Sequence, residues 1–233
     1  MEGNSIAELI AKDRSERKRQ HFEGTLLDYL EIVKENPGVA RLAHERLYDL
    51  LTKPGVEVIK TEENPRLRRI YGNDIIKRYH FFSNDFYGID RTIMKIIRYF
   101  HAAAMQGEEA RQVLYLVGPV GAGKSSLMES LKRALETAAP IYVIKGCPMR
   151  EDPLHLIPKH LRKEFARMLQ VHIEGDLCPV CRYRLKNEYN GEYERIPVET
   201  AEFSVRSRKG IGVVPPVDPN NQDTSVLIGS VDI

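Results

Sequence analysis

Apolar residues recur at helical spacing in five stretches of the chain. These stretches are residues 5–35, 39–51, 89–106, 125–137 and 159–169. Turn-forming residues end the first two stretches, at Asn36-Pro37-Gly38 and at Pro54-Gly55. We therefore predict a helical N-terminal region over residues 1–80, with further helices in the remainder of the chain.

Two short apolar runs have the continuous pattern of buried strands. Residues 113–117 read Val-Leu-Tyr-Leu-Val, and residues 141–144 read Ile-Tyr-Val-Ile. A helix is predicted between them, and strand–loop–helix–strand is the order of a parallel α/β core. We predict an α/β domain with a parallel sheet over residues 81–233. Residues 174–200 look rich in turns, and residues 209–224 hold too much glycine and proline for regular structure.

A phosphate-binding loop joins the first predicted strand to the helix. Its eight residues match G-x-x-x-x-G-K-[ST] in full, and they are Gly118, Pro119, Val120, Gly121, Ala122, Gly123, Lys124 and Ser125. The glycines let successive backbone N–H groups face phosphate oxygens, and the helix adds its positive end. Lys124 would reach the β- and γ-phosphates, and the Ser125 hydroxyl would bind Mg²⁺. We include the next residue, Ser126, among the nucleotide contacts. The alternative interpretation of the whole segment is a glycine-rich turn in an unrelated α/β fold.

The chain is nearly neutral, with 35 basic and 33 acidic side chains and a net charge of +2. This balance argues against nucleic acid as the default partner. No apolar run approaches the roughly 20 residues that cross a bilayer, so no membrane contact is expected. The polar N-terminus lacks a secretory signal, and three cysteines are too few for a disulfide scaffold. These features predict a cytoplasmic protein.

A single C-x-x-C unit, Cys178-Pro179-Val180-Cys181, leaves three interpretations open. The pair is half of a zinc site completed by another chain, by Cys147 or by His172. Alternatively, it is a redox pair, or two cysteines without special chemistry. The spacing of the histidines suggests no catalytic role for them.

Three segments besides the loop resemble the PrkA family of bacterial serine protein kinases. They are Phe86-Tyr87-Gly88-Ile89-Asp90, the run Tyr142-Val143-Ile144-Lys145-Gly146-Cys147-Pro148-Met149-Arg150-Glu151-Asp152-Pro153-Leu154-His155-Leu156-Ile157-Pro158, and Gly210-Ile211-Gly212-Val213-Val214-Pro215-Pro216 with Asp218-Pro219 and Gln222-Asp223. The resemblance implies that residues 81–233 are a partial P-loop NTPase domain of the AAA+ type, and that this module uses ATP and Mg²⁺. It also implies serine/threonine phosphorylation of a protein substrate, a homo-oligomer in the full-length form, and a bacterial stress or sporulation setting. By the same match, Tyr87 and Gly88 would lie against the adenine.

An ATPase of this type needs an acidic residue at the end of a second apolar strand. Asp232 is a weak candidate, because Gly229-Ser230 interrupts the apolar run before it. We therefore expect that the chain stops inside the AAA+ core and hydrolyses ATP poorly alone. Two alternatives to a kinase remain: an AAA+ ATPase that remodels or unfolds protein partners, and a nucleotide-responsive module that docks a partner through residues 1–80.

Overall fold

The computed structural model describes residues 21–60 and 64–214. Seven helices are found in these residues: α1 Leu26–Glu35, α2 Ala43–Thr52, α3 Pro65–Tyr71, α4 Asp90–Ala104, α5 Lys124–Glu136, α6 Arg162–Leu169 and α7 Pro179–Asn187. Five short strands accompany them: β1 Glu23–Thr25, β2 Val56–Ile59, β3 Ile76–Tyr79, β4 Ile141–Ile144 and β5 Pro197–Ala201. No helix in this described part is long and apolar enough to span a membrane.

A three-stranded sheet of order β1-β5-β4 forms one core. Both of its ladders are antiparallel, with Thr25 opposite Pro197 and Ile144 opposite Val198. Helix α1 begins directly after β1, where Thr25 and Asp28 bond reciprocally in a capping box. Its apolar face packs into what we call the sheet cluster. The buried members of this cluster are Leu26, Tyr29, Val33, Ile144, Cys147, Leu154, Leu156, Ile157, Leu169, Cys181, Ile196 and Val198.

Helices α2, α4 and α5 form a second core, which we call the helical cluster. Its buried members are Leu51, Phe82, Ile93, Ile96, Ile97, Phe100, Leu127 and Leu131. The helical spacing of apolar residues predicted over residues 89–106 is therefore confirmed for α4, because Ile93, Ile96, Ile97 and Phe100 are all buried here. Strands β2 and β3 form a two-stranded antiparallel sheet on either side of α3 in the sequence, and Ile59, Tyr71 and Ile76 form a small buried cluster of their own.

The predicted parallel sheet is not found among the described residues, where every strand pair is antiparallel. Residues 113–117 are not a strand, and Val113, Tyr115 and Val117 are 90%, 82% and 81% exposed. Leu114 and Leu116 instead pack against the helical cluster. Only one face of this apolar segment is therefore packed against the protein. Strand β4, the expected sheet partner of residues 113–117, pairs with β5 instead.

The region predicted to be helical over residues 1–80 also holds strands β1, β2 and β3. Strand β1 pairs with β5, so this region contributes to the same sheet as residues near 200. The domain boundary at residue 80 stays a prediction. Residues 1–20 and Asp232, with the predictions made for them, lie outside the described residues.

Helix α7 and strand β5 lie where the sequence suggested mostly turns. Cys181 is the one fully buried residue of α7, and most of the other positions are polar. A helix with so narrow a buried face has almost no apolar period to detect. Its start is nevertheless marked in the sequence, because Cys178 is the N-cap and Pro179 occupies the first turn.

Candidate nucleotide-binding site

The glycine-rich loop runs directly into the N-terminus of α5. Gly121 and Gly123 have φ values of 82° and 76°, in the left-handed region that side chains disfavour. Gly123 is also the N-cap of α5, so no side chain caps the first N–H groups of this helix. Uncapped N–H groups at a positive helix end are a general anion-binding arrangement. The local geometry therefore suits a phosphate.

Lys124, the first residue of α5, folds back over this loop. Its Nζ donates to the carbonyl oxygens of Gly118 and Pro119, at 2.7 Å each. Lys124 makes no ion pair within the described residues, whereas Lys132 on the same helix pairs with Glu129. Ser125 and Ser126 are exposed at the start of the helix. The ammonium group thus lies at the loop without a competing carboxylate.

Buried leucines on α5 attach the loop to the helical cluster. Leu127 and Leu131, one and two turns into the helix, are both buried there. Phe86 packs against the same cluster, and its ring lies 5.9 Å from that of Phe82 in an edge-to-face arrangement. A Cβ placed on Gly123 would lie 3.8 Å from Phe86 Cε1. Phe86 is therefore next to the end of the loop.

The segment that holds Tyr87 and Gly88 is thereby placed beside α5. Asp85 Oδ2 lies 3.9 Å from Nη2 of Arg133, which is on this helix. Tyr87 is 82% exposed, and Gly88 has a φ of 72° with open space around its Cα. The structure therefore brings the predicted adenine segment near the loop through Phe86, while contact of Tyr87 and Gly88 with a base stays a prediction.

Asp90 anchors the end of that segment, and sequence reasoning gave it no role. It is the first residue of α4 and is buried. The Tyr71 hydroxyl donates to Asp90 Oδ2, and Arg78 Nε lies 3.4 Å from Oδ1. Burial, with this hydrogen bond to Asp90, raises the pKa of Tyr71, so the phenol stays a donor at neutral pH. A single aspartate at the start of a predicted helix gives no indication in the sequence that its side chain is buried and hydrogen-bonded in this way.

The three cysteines come together far from the loop in sequence, together with Glu151. The Cys147 and Cys178 sulfurs are 3.8 Å apart, and the Cys181 N–H donates to Cys178 Sγ at 3.3 Å. Burial, and then hydrogen bonds from the other two thiols, raise the pKa of Cys181. His172, the other predicted partner, instead lies 3.1 Å from Glu174. Glu151 was missed, although its position four residues after Cys147 is visible in the sequence.

A glycine loop that opens a helix, supported by an apolar cluster, is the phosphate-binding unit of α/β P-loop NTPases. Residues 24–233 match the model of the family described as the PrkA AAA domain. The chain therefore belongs to the PrkA AAA domain family, as the sequence resemblance predicted. Membership places it in the α/β P-loop NTPase class.

Curated relatives cover nearly all of the chain. It is 42% identical over 233 residues to the "ATP-dependent protease PrkA" of Bacillus subtilis (strain 168), and this match covers 97% of this chain and 35% of that protein. It is 34% identical over 230 residues to the "Serine/threonine kinase YeaG" of Escherichia coli (strain K12), covering 92% and 35%. The chain thus spans about a third of the length of these relatives.

A shorter match extends to another group of proteins. Over 75 residues the chain is 35% identical to the Lon protease of Methanosphaera stadtmanae, covering 32% of this chain and 8% of that protein. No solved structure matches the chain.

Proposed function

We propose that this chain is the ATP–Mg²⁺-binding module of a PrkA-like bacterial enzyme that acts on a protein substrate. The observation that carries the proposal is the complete G-x-x-x-x-G-K-S loop with two left-handed glycines at the start of α5. In this assignment the backbone N–H groups of Gly118 and of residues 120–126, together with the Lys124 ammonium, hold the phosphates, while Pro119, which has no N–H, only shapes the loop. The Ser125 hydroxyl serves as a Mg²⁺ ligand.

Titration of the 233-residue chain with a fluorescent ATP analogue and Mg²⁺ tests this assignment. Charge-assisted hydrogen bonds contribute about 1.5–3 kcal/mol. Lys124→Ala should therefore weaken binding by roughly tenfold to 150-fold. Lys132→Ala is the matched control, because this lysine is on the same helix and pairs with Glu129. Equal affinity of the wild-type chain and Lys124→Ala would contradict the proposal.

For the adenine we propose Tyr87 and Gly88. The support is an exposed aromatic ring beside a glycine with open space, in a segment that Phe86 holds next to the loop. Tyr87→Ala should weaken ATP binding while leaving inorganic triphosphate binding unchanged. Tyr183→Ala, which removes another exposed ring on α7, should change neither. An equal loss for both ligands would show that Tyr87 supports the loop rather than the base.

The reaction that ATP drives is proposed at the level of the full-length protein. Phosphorylation of serine or threonine in a protein is favoured by the printed name of the E. coli relative. ATP-driven unfolding of a protein is the second candidate, favoured by the name of the B. subtilis relative and by the local match to Lon proteases. Phosphoserine on an added protein supports the first candidate, and ATP-dependent loss of that protein without phosphoserine supports the second.

Three further expectations remain proposals for the same protein. We propose that residues 113–117 become a strand of a parallel sheet in the full-length domain, since their alternating exposed side chains leave one face uncovered. Protection of these amides from hydrogen exchange in the full-length protein tests this. We also propose a homo-oligomer located in the cytoplasm, with light scattering to measure its mass and cell fractionation to test its location, and weak ATP hydrolysis by the 233 residues alone. Robust turnover abolished by Lys124→Ala would contradict the last of these.

A further inference from the structure

Four potential metal ligands converge in the sheet cluster from two distant parts of the chain. Cys147 and Glu151 belong to the turn after β4, while Cys178 and Cys181 belong to the start of α7. The three sulfurs and one Glu151 carboxylate oxygen all lie within 4.8 Å of one another. Cys147, Glu151 and Cys181 are buried, and Cys178 is half-buried. This placement is independent of the nucleotide loop.

The distances fit a tetrahedral zinc ion. Zinc binds thiolates at about 2.3 Å and carboxylates at about 2.1 Å, which places ligand atoms roughly 3.6–3.8 Å apart in a tetrahedron. The Cys147 and Cys178 sulfurs are 3.8 Å apart, and Cys147 Sγ is 4.0 Å from Glu151 Oε2. Small side-chain adjustments would complete the geometry. We propose that Cys147, Cys178, Cys181 and Glu151 bind one Zn²⁺ in a closed structural site.

Hydrogen bonds around the cluster already orient its members as ligands. The Cys181 N–H donates to Cys178 Sγ, so this sulfur accepts a bond at the N-terminus of α7. The Cys178 N–H donates to Glu151 Oε1 at 2.8 Å, and His155 Nδ1 lies 3.2 Å from the same oxygen. The other oxygen, Oε2, faces Cys147. Such outer contacts orient metal ligands and support their basicity.

The chemistry of the ligands selects the metal. Thiolates are soft ligands, and a buried tetrahedral set rich in sulfur is typical of zinc rather than Mg²⁺ or Ca²⁺, which prefer oxygen. A dication would also offset two of the four negative charges that three thiolates and a carboxylate carry. With four protein ligands the site keeps no open position for a substrate. Its role is therefore to hold α7 against the turn after β4.

A hydrogen bond further along α7 also joins this helix to that turn, and the metal would reinforce it. Arg184 of α7 donates from Nη1 to the Lys145 carbonyl oxygen at 2.8 Å, just before Cys147. Lys145 in turn donates its backbone N–H to Pro197 at the start of β5. The zinc would therefore connect α7 to the edge of the three-stranded sheet, and its loss should loosen this half of the molecule.

Metal analysis of the 233-residue chain, reconstituted with Zn²⁺ under reducing conditions and then desalted, tests the site. We expect about one zinc per chain. Cys147→Ser, Cys178→Ser and Cys181→Ser should each lower zinc retention at least about tenfold, because losing a residue that merely orients a ligand already costs about that much. His172→Ala is the control and should retain zinc fully. Less than about 0.1 zinc per wild-type chain would overturn the proposal.

Co²⁺ substitution keeps the test valid where a cysteine variant fails to fold. The wild-type chain should give the intense visible bands of tetrahedral Co²⁺ together with thiolate charge-transfer absorption. Glu151→Gln should shift the visible bands and keep the thiolate absorption, because only the oxygen ligand changes. A weak octahedral spectrum would overturn the proposal. So would a disulfide between any two of these three cysteines in the metal-free native protein, which would favour a redox role for them.

Discussion

Leu131 provides the sharpest test of how the glycine loop is supported. It lies on α5, two turns after the loop, and is 5% exposed within the helical cluster. Leu135 is one turn further along the same helix, but it is half-buried and outside that cluster. The sequence pattern treats these two leucines as equivalent members of one apolar face. In the structure only Leu131 is buried in the cluster. Truncating each leucine in turn therefore distinguishes the packing seen in the structure from the equivalence that the sequence pattern suggests.

The expected magnitude follows from burial. Leu→Ala removes the equivalent of three methylene groups, or about 2.4 kcal/mol of transfer free energy at a fully buried site. A residual cavity at Leu131 raises the loss of unfolding free energy to about 3 kcal/mol. At half-buried Leu135 the loss should be about 1 kcal/mol. Helix propensity contributes little to either change, because alanine and leucine are both good helix formers.

Urea unfolding of the 233-residue chain measures the loss of unfolding free energy in both variants, provided that their m-values equal that of the wild type. In a thermal scan, Leu131→Ala should lower Tm by about 6–12 °C and Leu135→Ala by about 2–4 °C. Glu129→Ala, on the exposed face of α5, controls for changes in the helix itself. The packing assigned to α5 is refuted if Leu131→Ala costs no more than Leu135→Ala.

Three further predictions concern the loop, the adenine segment and the first helix. Gly123→Ala should cost about 1–2 kcal/mol, because its φ of 76° disfavours a side chain. The cost should appear in urea unfolding, in ATP affinity or divided between them, and no change in either would contradict it. Asp90→Ala should lower the unfolding free energy by about 1–3 kcal/mol, since it leaves the buried Tyr71 hydroxyl without its acceptor. Asp74→Ala breaks an exposed ion pair instead and should cost under about 1 kcal/mol; equal losses would argue against the anchor. Hydrogen bonds from the Thr25 backbone and hydroxyl lower the pKa of Asp28, so its stabilising contribution is present at neutral pH and is lost as pH falls below about 4. Asp28→Asn should therefore destabilise at pH 7, with a difference from wild type that shrinks in acid; a constant difference across a pH series would contradict this.

The sequence by itself determined the local features of the protein. The eight-residue loop, the apolar face of α4 and the strand at Ile141–Ile144 were all predictable, because each depends on spacing over fewer than about 20 residues. The family could also be predicted, since its recognition needs only runs of residues. The adenine contacts proposed for Tyr87 and Gly88 rest on that resemblance and not on any pattern of their own.

Tertiary structure decided which elements pair and which side chains meet. Strand β1 pairs with β5, although most of the described chain separates them in sequence. Residues 113–117 pack one face against the helical cluster without a strand partner, although their apolar pattern alone suggests a buried strand. Glu151 and Cys147 meet Cys178 and Cys181 because the β4 turn and α7 pack against one core. Pairing and convergence depend on contacts between distant segments, and the period of hydrophobic residues along a chain carries no information about those partners.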